Sequence, residues 1–477
     1  MRVERASKEL PLERALEALR GALTAEDALL FATTLILLRH EAEAERAYER
    51  GEQQPALDAW HTLTTQDFGR RRGQEMSEVI RSGLGKWESD HGKLSRLPNL
   101  AEIRGSQLAP LIECVAAAQD LAALFDRCLA EQTLAMGKGG YYNTPADIAR
   151  LLIGLMEPRA GETIYDPACG SGGFLLRASE YVESPQGGIG PLALYGQDVS
   201  RTALQTAAIN FAVHDLTAGL KGPASSLTQD LFPDEIFDVA VANPPFNLSR
   251  WDEDGRARYD HRWVYGVPPA GNANFAWVQH VLSKISPKGR AGLLLPTGAA
   301  FGAKSAERHI RAGLVESDVL SCVVELPAGL IPHVRNPVSL WLFSKSKKSH
   351  GRWGNNDRSR QYLLIDARDT ALPLGRGRRT IPDEVRGRIT ETFAAWRGVQ
   401  GTVPYEDVPG WCRSVSTKDI VDQGYDVLPS HYMGRVAAEV AQIDRVELVT
   451  HLTDELYKLF SKAHRLEGEL RDLLDRL

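Results

Sequence analysis

From Tyr142 onward, short apolar runs alternate with amphipathic stretches along the chain, and this rhythm restricts the fold more than any other feature. Parallel strands cannot be joined by tight turns, so a run–helix–run texture reads as a parallel sheet with crossover helices. The candidate strands are Thr163–Tyr165, Leu192–Gly196, Asp238–Ala242, Gly292–Leu295, Ser321–Leu326, Ser339–Phe343 and Tyr362–Ile365. Helical spacing fills Phe174–Val182, Arg201–Val213 and Phe275–Ile285 between them. The expected class is therefore α/β, doubly wound and Rossmann-like. With 477 residues there is room for more than one domain, and 43% hydrophobic with 25% charged residues excludes a disordered or fibrous chain.

Up to about residue 132 the pattern changes to helix alone, with apolar positions three and four apart in Leu12–Leu23, Ala28–Leu38 and Leu108–Leu129. The polar stretch 51–93 carries Arg70, Arg71 and Arg72, which read better as a solvated face than as a phosphate clamp. The segment 344–360 is basic and polar, a surface excursion. At the far end, Val449, Leu452, Leu456, Leu459, Ala463, Leu466, Leu470, Leu473 and Leu477 form an a/d seam on one long helix. The expected division is a helical domain over 1–132, the α/β core over 133–350, a completing segment over 351–435 and a C-terminal helix over 436–477.

Five cysteines without a C-x-x-C spacing argue against a disulfide framework or a zinc ribbon, and no metal is expected. The run Ala28–Leu38 is too short to cross a bilayer, and Met1–Leu12 holds no apolar leader, so the expectation is a cytoplasmic protein away from membranes. A net charge of −6 disfavours a chain that grips nucleic acid alone over a broad surface.

Chemistry concentrates in a few places. In Thr163-Ile-Tyr-Asp-Pro-Ala-Cys-Gly-Ser-Gly-Gly-Phe174 a strand ends in an acid, Asp166, and turns through Gly170, Ser171, Gly172 and Gly173 into a helix. Such a turn lets a ligand touch the main chain, and it suits a dinucleotide as well as an adenosyl group. Asp198 ends the next strand, where a carboxylate can accept both ribose hydroxyls. Asp230 follows the third crossover, equally readable as a turn carboxylate.

The strand Asp238–Ala242 stops at Asn243-Pro244-Pro245-Phe246. Two prolines can simply end a strand, but here they can also hold the Asn243 amide oxygen and the Pro244 carbonyl as paired acceptors for one exocyclic amine. Phe246 offers a ring on which a planar base can stack. Upstream, Tyr141, Tyr142, Asn143, Thr144 and Pro145 precede the helix Ala146–Leu155. Their plain reading is an N-cap at Thr144 with Pro145 at the first helical position, and the tyrosines can also cover a cofactor.

The ordered set of Tyr142 to Pro145, Asp166 to Phe174, Asp198, Asp230 and Asn243 to Phe246 resembles the S-adenosylmethionine-dependent adenine-N6 DNA methyltransferases. Within them it is similar to the modification subunits of type I restriction-modification systems, over about 130–430. The resemblance implies Asn243, Pro244, Pro245 and Phe246 as the catalytic set. It implies Tyr141, Tyr142, Asn143, Thr144, Pro145, Asp166, Gly170, Ser171, Gly172, Gly173, Asp198 and Asp230 as the S-adenosyl-L-methionine site. Implied partners are DNA, a specificity subunit bound through the C-terminal helix and shared by two modification subunits, and a restriction subunit where the system has one. Gly375–Arg379 is either a solvated loop or a phosphate contact. Rival readings are a self-sufficient methyltransferase acting on DNA, RNA or a protein amide, and a non-catalytic assembly scaffold.

Overall fold

A computed structural model describes residues 12–47, 54–65, 73–91, 97, 99–135, 144–184, 188, 190–252, 255, 257–331, 334, 336–350, 353–375 and 378–433, with 453, 457 and 461. The remainder, including Tyr141 to Asn143, Arg70 to Arg72, Arg376 and every position of the C-terminal seam, lies outside the described residues.

Six helices come first: α1 (Leu12–Glu17), α2 (Ala25–Ala47), α3 (Pro55–Thr65), α4 (Gly73–His91), α5 (Gly105–Ala117) and α6 (Leu121–Ala135). The run Ala28–Leu38 is buried on every side of α2, and Thr33 and Thr34 satisfy their hydroxyls on the carbonyls of Leu29 and Leu30. That complete burial explains why it lacks a polar face. No described helix is long and apolar enough to cross a membrane. The polar stretch 51–93 contains α3 and α4, which contribute Trp60, Leu63, Met76, Ile80, Leu84 and Trp87 to the same core. The expected helix Leu108–Leu129 is two helices, broken at 118–120 where Asp120 caps α6 by accepting the Ala123 N–H.

The remaining elements are α7 (Ala146–Met156), β1 (Thr163–Asp166), α8 (Gly173–Glu183), β2 (Ala193–Gln197), α9 (Arg201–Val213), β3 (Ala218–Lys221), β4 (Phe237–Ala242) and α10 (Asn274–Lys284). They continue with β5 (Ile285–Pro296), α11 (Gly298–Phe301), α12 (Ser305–Glu316), β6 (Leu320–Glu325), β7 (Val338–Ser344) and β8 (Gln361–Asp366). The last are β9 (Leu372–Gly375), β10 (Arg378–Thr380), α13 (Asp383–Arg397), β11 (Cys412–Ser416) and α14 (Thr417–Asp422).

Nine strands form one sheet in the order β11-β8-β6-β7-β5-β4-β1-β2-β3. From β3 to β5 every pairing is parallel, whereas β7 runs antiparallel to both β5 and β6, and β11 antiparallel to β8. Alternate residues feed opposite faces: Val239 and Val241 join the core under α7 and α8, while Ala240 and Ala242 join the one under α10 and α12. Strand order reverses between β1 and β4, the position at which open α/β sheets hold their ligands.

α9 belongs to two cores. Ile209 and Val213 are buried among the N-terminal helices, while Ala207 and Phe211 are buried against the sheet.

Candidate active site

A cavity of about 1060 Å³ opens above the carboxyl ends of β1 and β4. Its walls come from the turn after β1 (Pro167, Ala168, Gly170), the end of β2 (Asp198, Val199, Ser200), the loop after β3 (Ser225, Ser226, Thr228) and the whole segment Asn243 to Trp251. Trp277 of α10, Pro296 of β5 and Asn336 before β7 close the rest.

The glycine turn is specified residue by residue. Asp166 is 1% exposed and accepts the Ala168 N–H at 3.0 Å, which bends the chain at the strand end. Burial, with the charge of Asp198 nearby, pushes its carboxyl up to about 8, and the residue braces the turn without being part of the cavity wall. Gly170 has φ +54°, and a Cβ there would meet nothing within 4 Å: the main chain is left open to the cavity. Gly172, at φ +81°, has a different reason. A Cβ would come 2.5 Å from the Phe211 ring, because α9 packs directly on the turn. Asn210 of α9 fixes the turn further by donating to the Ser171 carbonyl at 2.8 Å. Gly172→Ala should therefore destabilise the fold by about 2–4 kcal/mol through left-handed strain and overpacking, read as a lowered Tm in thermal unfolding.

Asp198 closes the turn from the neighbouring strand. One carboxylate oxygen accepts the Gly170 N–H at 2.9 Å and the other the Ser200 N–H at 2.8 Å. Burial raises its pKa from the ordinary aspartate value. Beside it Val199 stands 66% exposed, an apolar surface offered to the cavity.

Asp230 is placed elsewhere. Its carboxylate pairs with the buried Lys284 at 2.9 Å and accepts the Phe232 N–H at 2.9 Å, and it does not line the cavity. Ser225, Ser226 and Thr228 line it instead. That loop is held by the Gln197 side chain, which donates to the Ala224 and Gln229 carbonyls and accepts the Leu231 N–H. Arg262 grips it from the other side, donating to the Ser226 and Leu227 carbonyls at 2.8 and 2.6 Å and pairing with Asp260. It also donates to Nδ1 of His280, which burial and the guanidinium keep neutral, with a pKa lowered to about 3.

At the end of β4, Asn243 donates through Nδ2 to Thr144 Oγ1 at 2.9 Å. The amide is thereby held, with Oδ1 and the second Nδ2 hydrogen still able to bond. Thr144 was expected as a helix cap. The cap position of α7 is in fact Pro145, with no side-chain cap bond, and the threonine hydroxyl serves Asn243 instead. Pro244, Pro245 and the half-buried Phe246 line the cavity. Asn274 at the start of α10 holds the following turn: its Oδ1 accepts the Asn247 N–H and its Nδ2 donates to Asn247 Oδ1, both at 2.9 Å. Nothing in the local pattern of Asn274, Gln197 or Arg262 marks them, since each acts on a loop distant in sequence. Arg379, from the basic hairpin, donates to the Ala328 and Ala371 carbonyls.

Comparison with known proteins agrees with this geometry. The family model described as N-6 DNA Methylase matches residues 117–440. The HindI methylase subunit of a type I restriction enzyme from Haemophilus influenzae is 33% identical over 359 residues, covering 75% of this chain and 78% of its own. The MjaIX methylase subunit from Methanocaldococcus jannaschii is 30% identical, over 74% of this chain and 62% of its own. Among solved structures, the methyltransferase subunit of a type I restriction-modification system from Streptococcus thermophilus superposes with a TM-score of 0.68 at 19% identity, covering 88% of this chain and 98% of that one. A fold with its ligand cavity at the β1/β4 reversal, an Asn-Pro-Pro-Phe turn in that cavity and a family match over most of the chain lead to one conclusion: this chain belongs to the N-6 DNA methylases, alongside the methylase subunits of type I restriction enzymes.

Proposed function

We propose that the chain transfers the methyl group of S-adenosylmethionine to N6 of adenine in DNA, as the modification subunit of a type I complex. The observation that carries this reading is the Asn243–Thr144 hydrogen bond, which fixes the Asn243 amide in the wall of the cavity that the glycine turn also lines. The residues present suit S-adenosylmethionine. Gly170 leaves its main chain open, Val199 offers an apolar face, and each Asp198 oxygen keeps a lone pair for a ribose hydroxyl beyond the backbone N–H it already accepts. Bound there, it supplies an electrophilic methyl group.

The chain's own residues do the rest. Asn243 Oδ1 and the Pro244 carbonyl accept the two N6 hydrogens, which turns the nitrogen lone pair out of the ring plane toward the methyl carbon. Phe246 stacks on the extruded base, replacing the neighbours it loses on leaving the duplex. As the N–C bond forms and the S–C bond breaks, the nitrogen becomes acidic and gives its proton to water, so positioning suffices and a strong base is not needed. Incubation with DNA, a specificity subunit and a labelled methyl donor should yield N6-methyladenine in nucleoside digests; label on cytosine or on protein would overturn the reading.

Sequence specificity comes from a partner. Between Asp366 and Met433 the described chain spends itself on finishing the core: Ile389, Phe393 and Trp396 of α13 are buried in one cluster with Trp411 and Cys412, and β11 pairs with β8. No separate recognition domain is present among the described residues of that stretch. The seam over 449–477 is the segment proposed to bundle with the specificity subunit, two modification subunits to one. Deleting 449–477 should weaken partner association at least about tenfold and site-specific methylation with it, while cofactor binding persists. Co-purification with the partner and methylation of the same sites by the truncated protein would make the helix internal packing.

A further inference from the structure

The turn beyond Phe246 is built as if its backbone mattered more than its side chains. Asn247 and Arg250 are both left-handed, with φ +53° and +54°, a conformation that asparagine tolerates but that is uncommon for arginine. Beyond the Asn247–Asn274 pair, the Leu248 carbonyl accepts the Ala273 N–H and the Arg250 N–H donates to the Ala270 carbonyl, each at 3.0 Å. Trp251 donates through Nε1 to the Pro269 carbonyl at 3.0 Å and packs edge-on against Trp263. Yet the side chain of Arg250 is exposed, and among the described residues it makes no ion pair.

Its position is specific. Arg250 and Ser249 belong to the wall of the main cavity and also to that of a second one, of about 500 Å³, bounded by Asp252, Ala270 and Gly271. The arginine therefore stands at the boundary between the place where Phe246 would stack a base and an adjoining space open to solvent. An extruded nucleotide is joined to its neighbours by phosphodiesters only one sugar away from the base. A cation carried on a held backbone at the rim of the base site, four residues from the stacking ring, is within reach of such a linkage. Ser249, in the wall of both cavities, adds a hydroxyl donor.

We infer that Arg250 binds a phosphodiester flanking the extruded adenosine, with the neighbouring nucleotide in the second cavity. This rests on the proposed base site. Guanidinium geometry matches phosphate oxygens in pairs, and a loop held rigid behind it loses little entropy on binding.

The test uses the complex with its specificity subunit and the DNA duplex that the wild-type complex methylates. Arg250→Asn removes the charge while tolerating φ +54°, and thermal unfolding checks that it folds. DNA affinity should fall about tenfold, and the slope of log K against log salt should flatten by about 0.7 to 0.9. Arg250→Lys should restore the slope. Replacing the phosphodiester on either side of the target adenine with a neutral methylphosphonate should, at one of the two linkages, cost the wild type as much as the Asn variant loses and cost that variant nothing more. An unchanged salt slope, or additive losses at both linkages, overturns the inference. The base-site reading is judged separately, by N6-methyladenine formation in the wild type, so either can fail without the other.

Discussion

Asn243→Ala is expected to lower kcat for methyl transfer by at least about 10²-fold, the scale of removing one preorganised polar group from a transition state. Cofactor affinity should stay nearly intact. The reason is local: in the proposed site the Asn243 amide, held by its bond to Thr144, serves the base, whereas the Gly170–Asp198 bond of the glycine turn does not involve it. The side chain is also only half-buried, so truncation leaves a small gap and little loss of stability. Single-turnover methylation with partner and DNA supplied, beside calorimetric titration of S-adenosylmethionine, separates the two quantities. Near-normal methylation by the variant would remove Asn243 from the chemistry.

Asp198→Ala should weaken S-adenosylmethionine binding by about 1.5–3 kcal/mol, roughly ten- to 150-fold, since the ribose hydroxyls lose a charged acceptor. The structure adds a second contribution, because the same carboxylate holds the N–H groups of Gly170 and Ser200, and the turn loosens when both are released. Burial raises this carboxyl's pKa, so protonation begins at a higher pH than for an ordinary aspartate. A protonated carboxyl is a poorer acceptor, and wild-type cofactor affinity should therefore decline as pH falls through that raised value. Asp198→Ala should lose this acid-side decline. Unchanged calorimetric affinity in the variant would move the cofactor away from this strand end.

Much of the architecture was readable because apolar runs and helical spacing are local properties. Each strand expected from an apolar run has a counterpart, although β5 extends back to Ile285. The edge strand β3 escaped notice, since Ala218-Gly-Leu-Lys alternates between half-buried and exposed positions and has no apolar run to betray it. The antiparallel course of β7 was equally hidden. A strand buried on both faces reads the same in either direction, and all of Val338–Ser344 is buried. The helices α3 and α4 were masked by their charged outer faces. At the site, the turn glycines and the Asn-Pro-Pro-Phe segment declared themselves by composition. The services of Thr144 to Asn243 and of Lys284 to Asp230 depend on residues 99 and 54 positions apart, a separation no local pattern encodes.

One helix ties these distant parts together mechanically. The N-terminal helices and the glycine turn are joined through α9, which has Ile209 and Val213 in one core, Phe211 in the other, and Asn210 bonded to the turn itself. Such a helix fixes one part against the other: a substitution that repacks Ile209 or Val213 among the N-terminal helices also bears on Asn210 and Phe211, and through them on Ser171 and Gly172.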